Sequence, residues 1–284
     1  MARHPRDSAG LGAWQRERST AVRRAVSLPP GLPASAVIYA ESEALDAPTE
    51  WLPHAHPMHE LVWVRGGTLT ARVDDRMVTI AEGDALWLPA GVAHAGRLTA
   101  RARLFDAFFA PDRTPVRFAG ATTVAMTTLL DSLLVRLART DLDAAARARA
   151  EQVVFDVLEP AEQGLDLPLP GDPRIDPIAE ALLADPADRR GLEEWAVTLG
   201  VSDRTITRAF RQATGLSFAQ WRRALRVHHA LTLLADGWDV HGTSEQLGYA
   251  QPSTFIAAFQ QVMGVTPGAF VAGRRAGDGM SENP

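Results

Sequence analysis

Two segments near the C-terminus of this 284-residue chain repeat one another at a nearly fixed offset, which restricts the chain to few folds. Leu199-Gly200 returns as Leu247-Gly248, 48 residues later, and Phe210-x4-Gly215 returns as Phe259-x4-Gly264, 49 residues later. In the first copy, Leu192 to Leu199 is amphipathic and stops at Gly200, where a turn calls for positive φ. Ser202 then caps a helix predicted over Asp203 to Ala213. Its spacing puts Ile206, Ala209, Phe210 and Ala213 on one side and Arg204, Thr207, Arg208 and Arg211 on the other. The second turn, Gly248-Tyr249-Ala250-Gln251-Pro252, is one residue longer and leads to a helix predicted over Ser253 to Met263, with Phe255 and Phe259 inward. Between the copies, the Trp221, Leu225, His228/His229, Thr232 periodicity predicts a helix from Phe218 to Ala235, roughly 27 Å long. Two helix-turn-helix units held that far apart suit neighbouring major grooves, which lie about 34 Å apart on one face of a duplex.

Residues 192–270 resemble the DNA-binding domain of the AraC/XylS family of transcriptional regulators. The resemblance rests on Thr214-Gly215-Leu216-Ser217-Phe218-x2-Trp221-Arg222-x3-Arg226, Leu247-Gly248-Tyr249, Ser253-x-Phe255-x3-Phe259 and Gly264-Val265-Thr266-Pro267. It implies double-stranded DNA as partner, contacted by Arg204, Thr205, Thr207, Arg208 and Arg211 in the first unit and by Gln251, Ser253 and Thr254 in the second. The chain departs from the family on the second reading helix, where Ala257, Ala258, Gln260 and Gln261 stand in place of basic residues. A plain helical bundle with polar outer faces is the competing reading, and the paired spacings argue against it.

A net charge of -5 fits a DNA binder only once it is divided along the chain. Residues 1–189 hold 20 arginines against 26 acids, whereas residues 190–275 hold 9 against 6. The modest surplus lies in the right place and implies limited non-specific affinity, with dimerisation or two-site binding adding strength. There is no cysteine, which removes disulfide and thiol chemistry from consideration. No apolar run has the length of a membrane span, and no signal-peptide core is evident, so a cytoplasmic chain with no membrane partner is expected.

Upstream, residues 37–109 change to short strand-like runs broken by Gly, Pro and Asp: Leu61 to Val64, Thr68 to Val73, Met77 to Ile80, Ala85 to Leu88 and Arg101 to Phe109. This spacing predicts a jelly roll or small barrel. Within it, His54-x-His56-x3-Glu60-x6-Gly67 and Gly83-x5-Pro89-x-Gly91-x2-His94 resemble the two motifs of the cupin fold, with Pro48 and Leu98 departing from them. An extended segment would turn 54, 56 and 60 to one face and His59 away, although Pro53 and Pro57 interrupt it. His54, His56, Glu60, Trp87 and His94 are the candidate effector-pocket residues, and Trp51 and Trp63 could wall the same pocket. As metal ligands, His54, His56, Glu60 and His94 could hold Fe, Mn, Ni or Zn, but the favoured expectation is no metal and a hydrogen-bonded or organic-ligand site.

Residues 121–159 are predicted helical, with stripes through Leu129, Leu130, Leu133, Leu134 and Leu137 and through Val153, Val154, Val157 and Leu158. They form either a dimerisation hairpin, as the resemblance implies, or a cover for one face of the barrel. The expected fold class is α+β. An N-terminal cupin-like β-barrel (jelly roll) with a helical hairpin precedes an all-α domain of two helix-turn-helix units joined by a long helix. The expected divisions are a mobile arm (1–30), sensor domain (31–120), hairpin (121–159), proline-rich linker (160–177), DNA-binding domain (178–272) and loose tail (273–284). The expected function is sequence-specific transcriptional regulation in response to a small-molecule effector, by a non-enzymatic homodimer that meets RNA polymerase at promoters. A metal-dependent cupin enzyme, or a metal sensor, fused to a DNA-binding module is the alternative.

Overall fold

The computed structural model describes residues 19–24, 36–115, 118, 120–139, 141–162 and 164–278. Most of the expected arm (residues 1–18 and 25–30) and the last six residues of the expected tail lie outside them. The chain divides into two compact units, one built mainly from residues 19–164 and the other from Leu165–Gly277.

Among the described residues, ten strands belong to the first unit: β1 (Ala21–Arg23), β2 (Ile38–Leu45), β3 (Thr49–His54), β4 (His59–Arg65), β5 (Thr68–Val73), β6 (Arg76–Ala81), β7 (Asp84–Leu88), β8 (His94–Leu98), β9 (Ala102–Phe109) and β10 (Thr122–Ala125). One sheet has the order β10-β7-β4-β9-β2, antiparallel throughout. The other sets β1, β3, β8, β5 and β6 side by side. The period of two explains why the central strands read as almost unbroken apolar runs. Leu61 and Trp63 of β4, Ala85 and Trp87 of β7, and Phe105, Ala107 and Phe109 of β9 pack on one face. Val62, Val64, Leu86, Leu88 and Leu104, from the alternate positions, enter the core shared with β3, β5, β6 and β8.

Helices α1 (Thr128–Leu137) and α2 (Ala144–Val157) cover the first of these faces with Leu130, Leu134, Leu137, Ala150 and Val154. Thr127 and Asp143 cap them. Polar ties fix the cover in place. Asp131 accepts from Trp63 Nε1 at 2.9 Å and pairs with Arg65, and buried Glu151 accepts from the amides of Val37 and Ile38 at 2.9 and 3.1 Å. Within the described residues, then, the hairpin covers that face of the sheet, one of the two roles expected of it.

Several segments differ from expectation. Ala21–Arg23, inside the expected arm, forms a strand because it pairs in parallel with β3 and Arg23 forks onto Glu43 at 2.6 and 2.7 Å. Residues 122–125 are strand where helix was expected, since the β-branched Thr122-Thr123-Val124 run completes the edge beside β7. In the expected linker, Leu165–Pro168 is extended (β11) and Pro177 stands in the first turn of α3 (Asp176–Ala184), where its missing N–H costs nothing.

The second unit continues with α4 (Leu192–Leu199), α5 (Asp203–Thr214), α6 (Phe218–Ala235), α7 (Val240–Gln246), α8 (Pro252–Met263) and α9 (Pro267–Asp278). The last helix runs beyond residue 273, where a loose tail was expected. Gly200, Gly215 and Gly264 close α4, α5 and α8 in the left-handed conformation that the turn positions called for. Helix α6 serves two cores at once. Phe218, Trp221 and Leu225 pack with Trp195, Ile206 and Phe210, whereas Val227, Ala230 and Leu231 pack with Leu247, Phe255 and Phe259. Among the described residues no helix is long and apolar enough to cross a membrane.

Candidate functional site

The first helix-turn-helix is α4, the Gly200 turn and α5. Ser202 Oγ accepts from Thr205 N at 3.1 Å and pairs with Thr205 Oγ1 at 2.8 Å, so Thr205 is half-buried and engaged in the cap. Burial of Ile206, Ala209 and Phe210 leaves Arg204, Arg208 and Arg211 exposed on the far side of α5, with Thr207 half-buried beside them. In the second unit, Gln251, Ser253 and Thr254 are exposed around the start of α8, and Ala257, Gln260 and Gln261 follow on its outer side. Ala258 is buried and does not belong to that face, because it follows Phe255 by one turn. Sequence reasoning missed Arg223, which lies on α6 and hydrogen-bonds to Gln261 Oε1. The structure therefore places a guanidinium beside a reading helix that carries none.

In the first unit the two cupin-like motifs converge where β3, β4 and β8 begin or end. His54 ends β3 and stands directly opposite His94, the first residue of β8. Pro53 stays within β3, His56 lies in the turn that follows beside Pro57, and Glu60 is on β4. His56 Nε2 is 2.8 Å and His94 Nε2 3.4 Å from Glu60 Oε2. The His54 and His94 rings are 4.4 Å apart, and those of His56 and His94 5.1 Å. Each imidazole is anchored from behind: His54 Nδ1 on Leu52 O at 2.8 Å, His56 Nδ1 on Met58 O at 2.9 Å and His94 Nδ1 on Val92 O at 3.0 Å. A carbonyl oxygen only accepts, so every Nδ1 carries a hydrogen. His56 Nε2 faces the Glu60 carboxylate, so the two side chains share a hydrogen bond as well.

His54, Glu60 and His94 line a small cleft, about 40 Å³ in volume and open in part to solvent. Its apolar walls include Trp51, Val62, Leu69, Leu88 and Leu104. Two expected wall residues lie elsewhere. Trp87 is on the opposite face of its strand, stacked on His59 at 5.2 Å and packed on Phe109, and Trp63 is held by Asp131 under α1. Strand parity turns both away from the cleft.

Asp106 completes the polar end and was not foreseen, although it shares inward parity with Leu104 in an apolar strand. Burial pushes its carboxyl well above the usual carboxylate range, and the adjoining Glu60 adds to the effect. Glu60 moves the opposite way. Burial alone would raise it, but the bonds and charge of His56 and His94 outweigh burial and bring it to about 2. Burial likewise opposes the His56 imidazolium, and Glu60 overcomes it and raises the pKa. His54, with burial as the largest influence, is lowered. The end of the cleft thus combines a bridged carboxylate, a carboxyl whose burial favours its neutral form and imidazoles whose Nδ1 atoms are held on backbone carbonyls.

A helix-turn-helix domain family model matches residues 195–273, and a cupin domain family model matches residues 44–126. The HTH-type transcriptional regulator NimR of Escherichia coli (strain K12) is 30% identical over 239 residues, covering 83% of this chain and 86% of NimR. The chain belongs to the AraC/XylS family of transcriptional regulators. This AraC/XylS regulator is also 39% identical to the HTH-type transcriptional regulator RipA of Corynebacterium glutamicum over 107 residues, 38% of this chain and 32% of RipA. A solved structure of ToxT from Vibrio cholerae is similar at TM-score 0.35 and 10% identity, covering 83% of this chain and 98% of that one. With that membership, the chain is a DNA-binding transcriptional regulator.

Proposed function

We propose that this regulator senses a small molecule in the barrel cleft and that occupancy of the cleft alters its DNA binding. The observation that carries the reading is the cleft itself, which joins an apolar wall to a convergent set of buried polar groups in the domain that accompanies the DNA reader. In this reading Arg204, Thr207, Arg208 and Arg211 contact one major groove, and Gln251, Ser253 and Thr254 the next, with Thr205 acting mainly through the helix cap. The chain works in the cytoplasm as a homodimer, supported by the exposed Leu129, Val135 and Val153 on the outer side of α1 and α2. RNA polymerase is the partner at promoters. The polar cluster binds and does not turn over a substrate, in keeping with regulators as relatives. A thermal-shift screen of small molecules tests the reading. A hit on wild type that Leu104→Trp abolishes supports it, and a hit that survives filling of the cleft contradicts it.

One observation favours a second reading, in which a divalent transition metal is the sensed species or part of the site. The ligand atoms of His56, Glu60 and His94 lie within 4.8 Å of one another, and the backbone anchoring of each Nδ1 is the support that metal-ligating imidazoles use. The N and O donor set fits Fe, Mn, Ni or Zn. His56, Glu60 and His94 would hold the ion, with His54 beside them, and the ion would supply a Lewis-acid contact for a ligand oxygen or nitrogen. The chain's own part is to fix the rings, keep the carboxylate ionised and wall the site with apolar groups. Elemental analysis of natively purified wild type and His56→Ala separates the readings. Near-stoichiometric metal lost in the variant selects the second, and its absence from wild type that still binds DNA selects the first.

A further inference from the structure

We propose that Arg226 and the Gly248–Tyr249 turn form a second joint between the two helix-turn-helix units, and that this joint makes the spacing of the operator's two halves a specificity determinant. The inference goes beyond the effector reading and does not depend on it. Helix α6 by itself is a single rod, and a unit attached to a rod at one place can swing with each bend of that rod. Arg226 lies between the α6 residues that serve the two cores and reaches back to the loop between α3 and α4. Its Nε donates to Pro186 O at 2.8 Å and its Nη2 to Asp188 O at 3.2 Å. The same guanidinium lies over the Tyr249 ring, 5.1 Å from its centroid, and Tyr249 packs on Phe255 of α8 at 5.5 Å.

The first unit closes on the same loop. Arg222 Nη1 donates to Arg190 O at 2.8 Å, and the Arg190 guanidinium stands 3.6 Å over the ring of Trp195 in α4. Gly248 brings the second turn into direct contact with it. A Cβ at that position would stand 2.7 Å from Ala187 O and 3.0 Å from Ala187 Cα, on a backbone with φ of +73°. Only glycine meets both conditions. The connection from α4 through the loop to α8 therefore runs beside α6 and holds α5 and α8 at one separation. One base pair inserted between the two recognised segments turns the second by about 35° and shifts it by roughly 3.4 Å, which a fixed pair of helices cannot follow.

The test uses the full-length chain and a duplex that the wild type selects from a random pool, with 1-bp insertions and deletions between the two recognised segments. Wild type is expected to lose at least about tenfold in affinity on either change, the size of a mismatched contact. Arg226→Met and Gly248→Ala should reduce that penalty to within about threefold, bind the original duplex more weakly, and leave the slope of affinity against salt unchanged. Circular dichroism and melting of both variants verify the fold, and the two substitutions act on different sides of the joint, so either one carries the test if the other unfolds. A folded variant with the wild-type spacing penalty overturns the proposal. So does a salt slope reduced by about one in Arg226→Met with the penalty intact, which makes Arg226 a phosphate contact. A selected site with one recognised segment overturns it as well.

Discussion

The two helix-turn-helix units share a backbone and differ in chemistry. Both second helices end at a left-handed glycine and bury a phenylalanine at the equivalent position, Phe210 in α5 and Phe259 in α8. Yet α5 presents three exposed guanidiniums, while α8 presents hydroxyls, amides and Ala257, with Arg223 of α6 placing a guanidinium beside Gln261. The comparison separates the residues that make the scaffold from those proposed to read DNA. A repeat can be kept for its geometry while the electrostatic part of binding is concentrated in one copy.

The largest expected effects test the shared part. Phe210→Ala and Phe259→Ala should each cost about 3 to 5 kcal/mol in chemical denaturation, since both side chains are fully buried and leave a cavity. A large inequality between them would break the equivalence of the two cores. Arg208→Ala should weaken operator binding by about 1 to 3 kcal/mol and relax sequence preference at one position, while Gln261→Ala changes affinity less. Equal losses in a binding titration would erase the difference between the reading faces.

The third prediction concerns His228 of α6, fully buried beside residues of the second core. Burial, reinforced by His229, lowers its pKa from 6.5 to about 3, so the folded form holds it neutral. The unfolded chain takes up the proton first, and stability present above pH 6.5 falls as pH drops toward 3, by up to about 1.4 kcal/mol per unit. Denaturation of wild type and His228→Leu between pH 7 and 5 measures it, and the variant should show a flatter dependence. The smallest effect separates the helix starts. Ser202 caps α5 through Thr205 N, whereas Gln251 makes no side-chain cap on α8. Ser202→Ala should cost about 1 kcal/mol, and Gln251→Ala should stay within about 0.5 kcal/mol in stability.

The DNA-binding half was legible because its signals are local. Glycine stops, the Ser202 cap and a 3.6-residue period placed α5 and α6 to within a residue. Its joint was not legible, because Arg226 bonds to the backbone carbonyls of Pro186 and Asp188, and acceptors of that kind leave no mark in a sequence. In the barrel, motif spacing brought His54, His56, Glu60 and His94 to one place. It could not say which face of a doubly buried strand holds the cleft, and Trp87 fell on the other face for that reason. Asp106 was readable in principle, as an acid at inward parity. The strand at 122–125 was hidden by the leucine stripe that follows it.

The salt dependence of operator affinity tests the central contrast most directly, measured for wild type, Arg204→Ala, Arg208→Ala, Arg211→Ala and the pair Gln260→Ala with Gln261→Ala. At least one arginine substitution in α5 should reduce the slope by about one unit, and the glutamine pair should leave it unchanged. A slope indifferent to all three arginines, or reduced by the glutamine pair, would contradict the assignment of charge to the first unit and neutral contacts to the second.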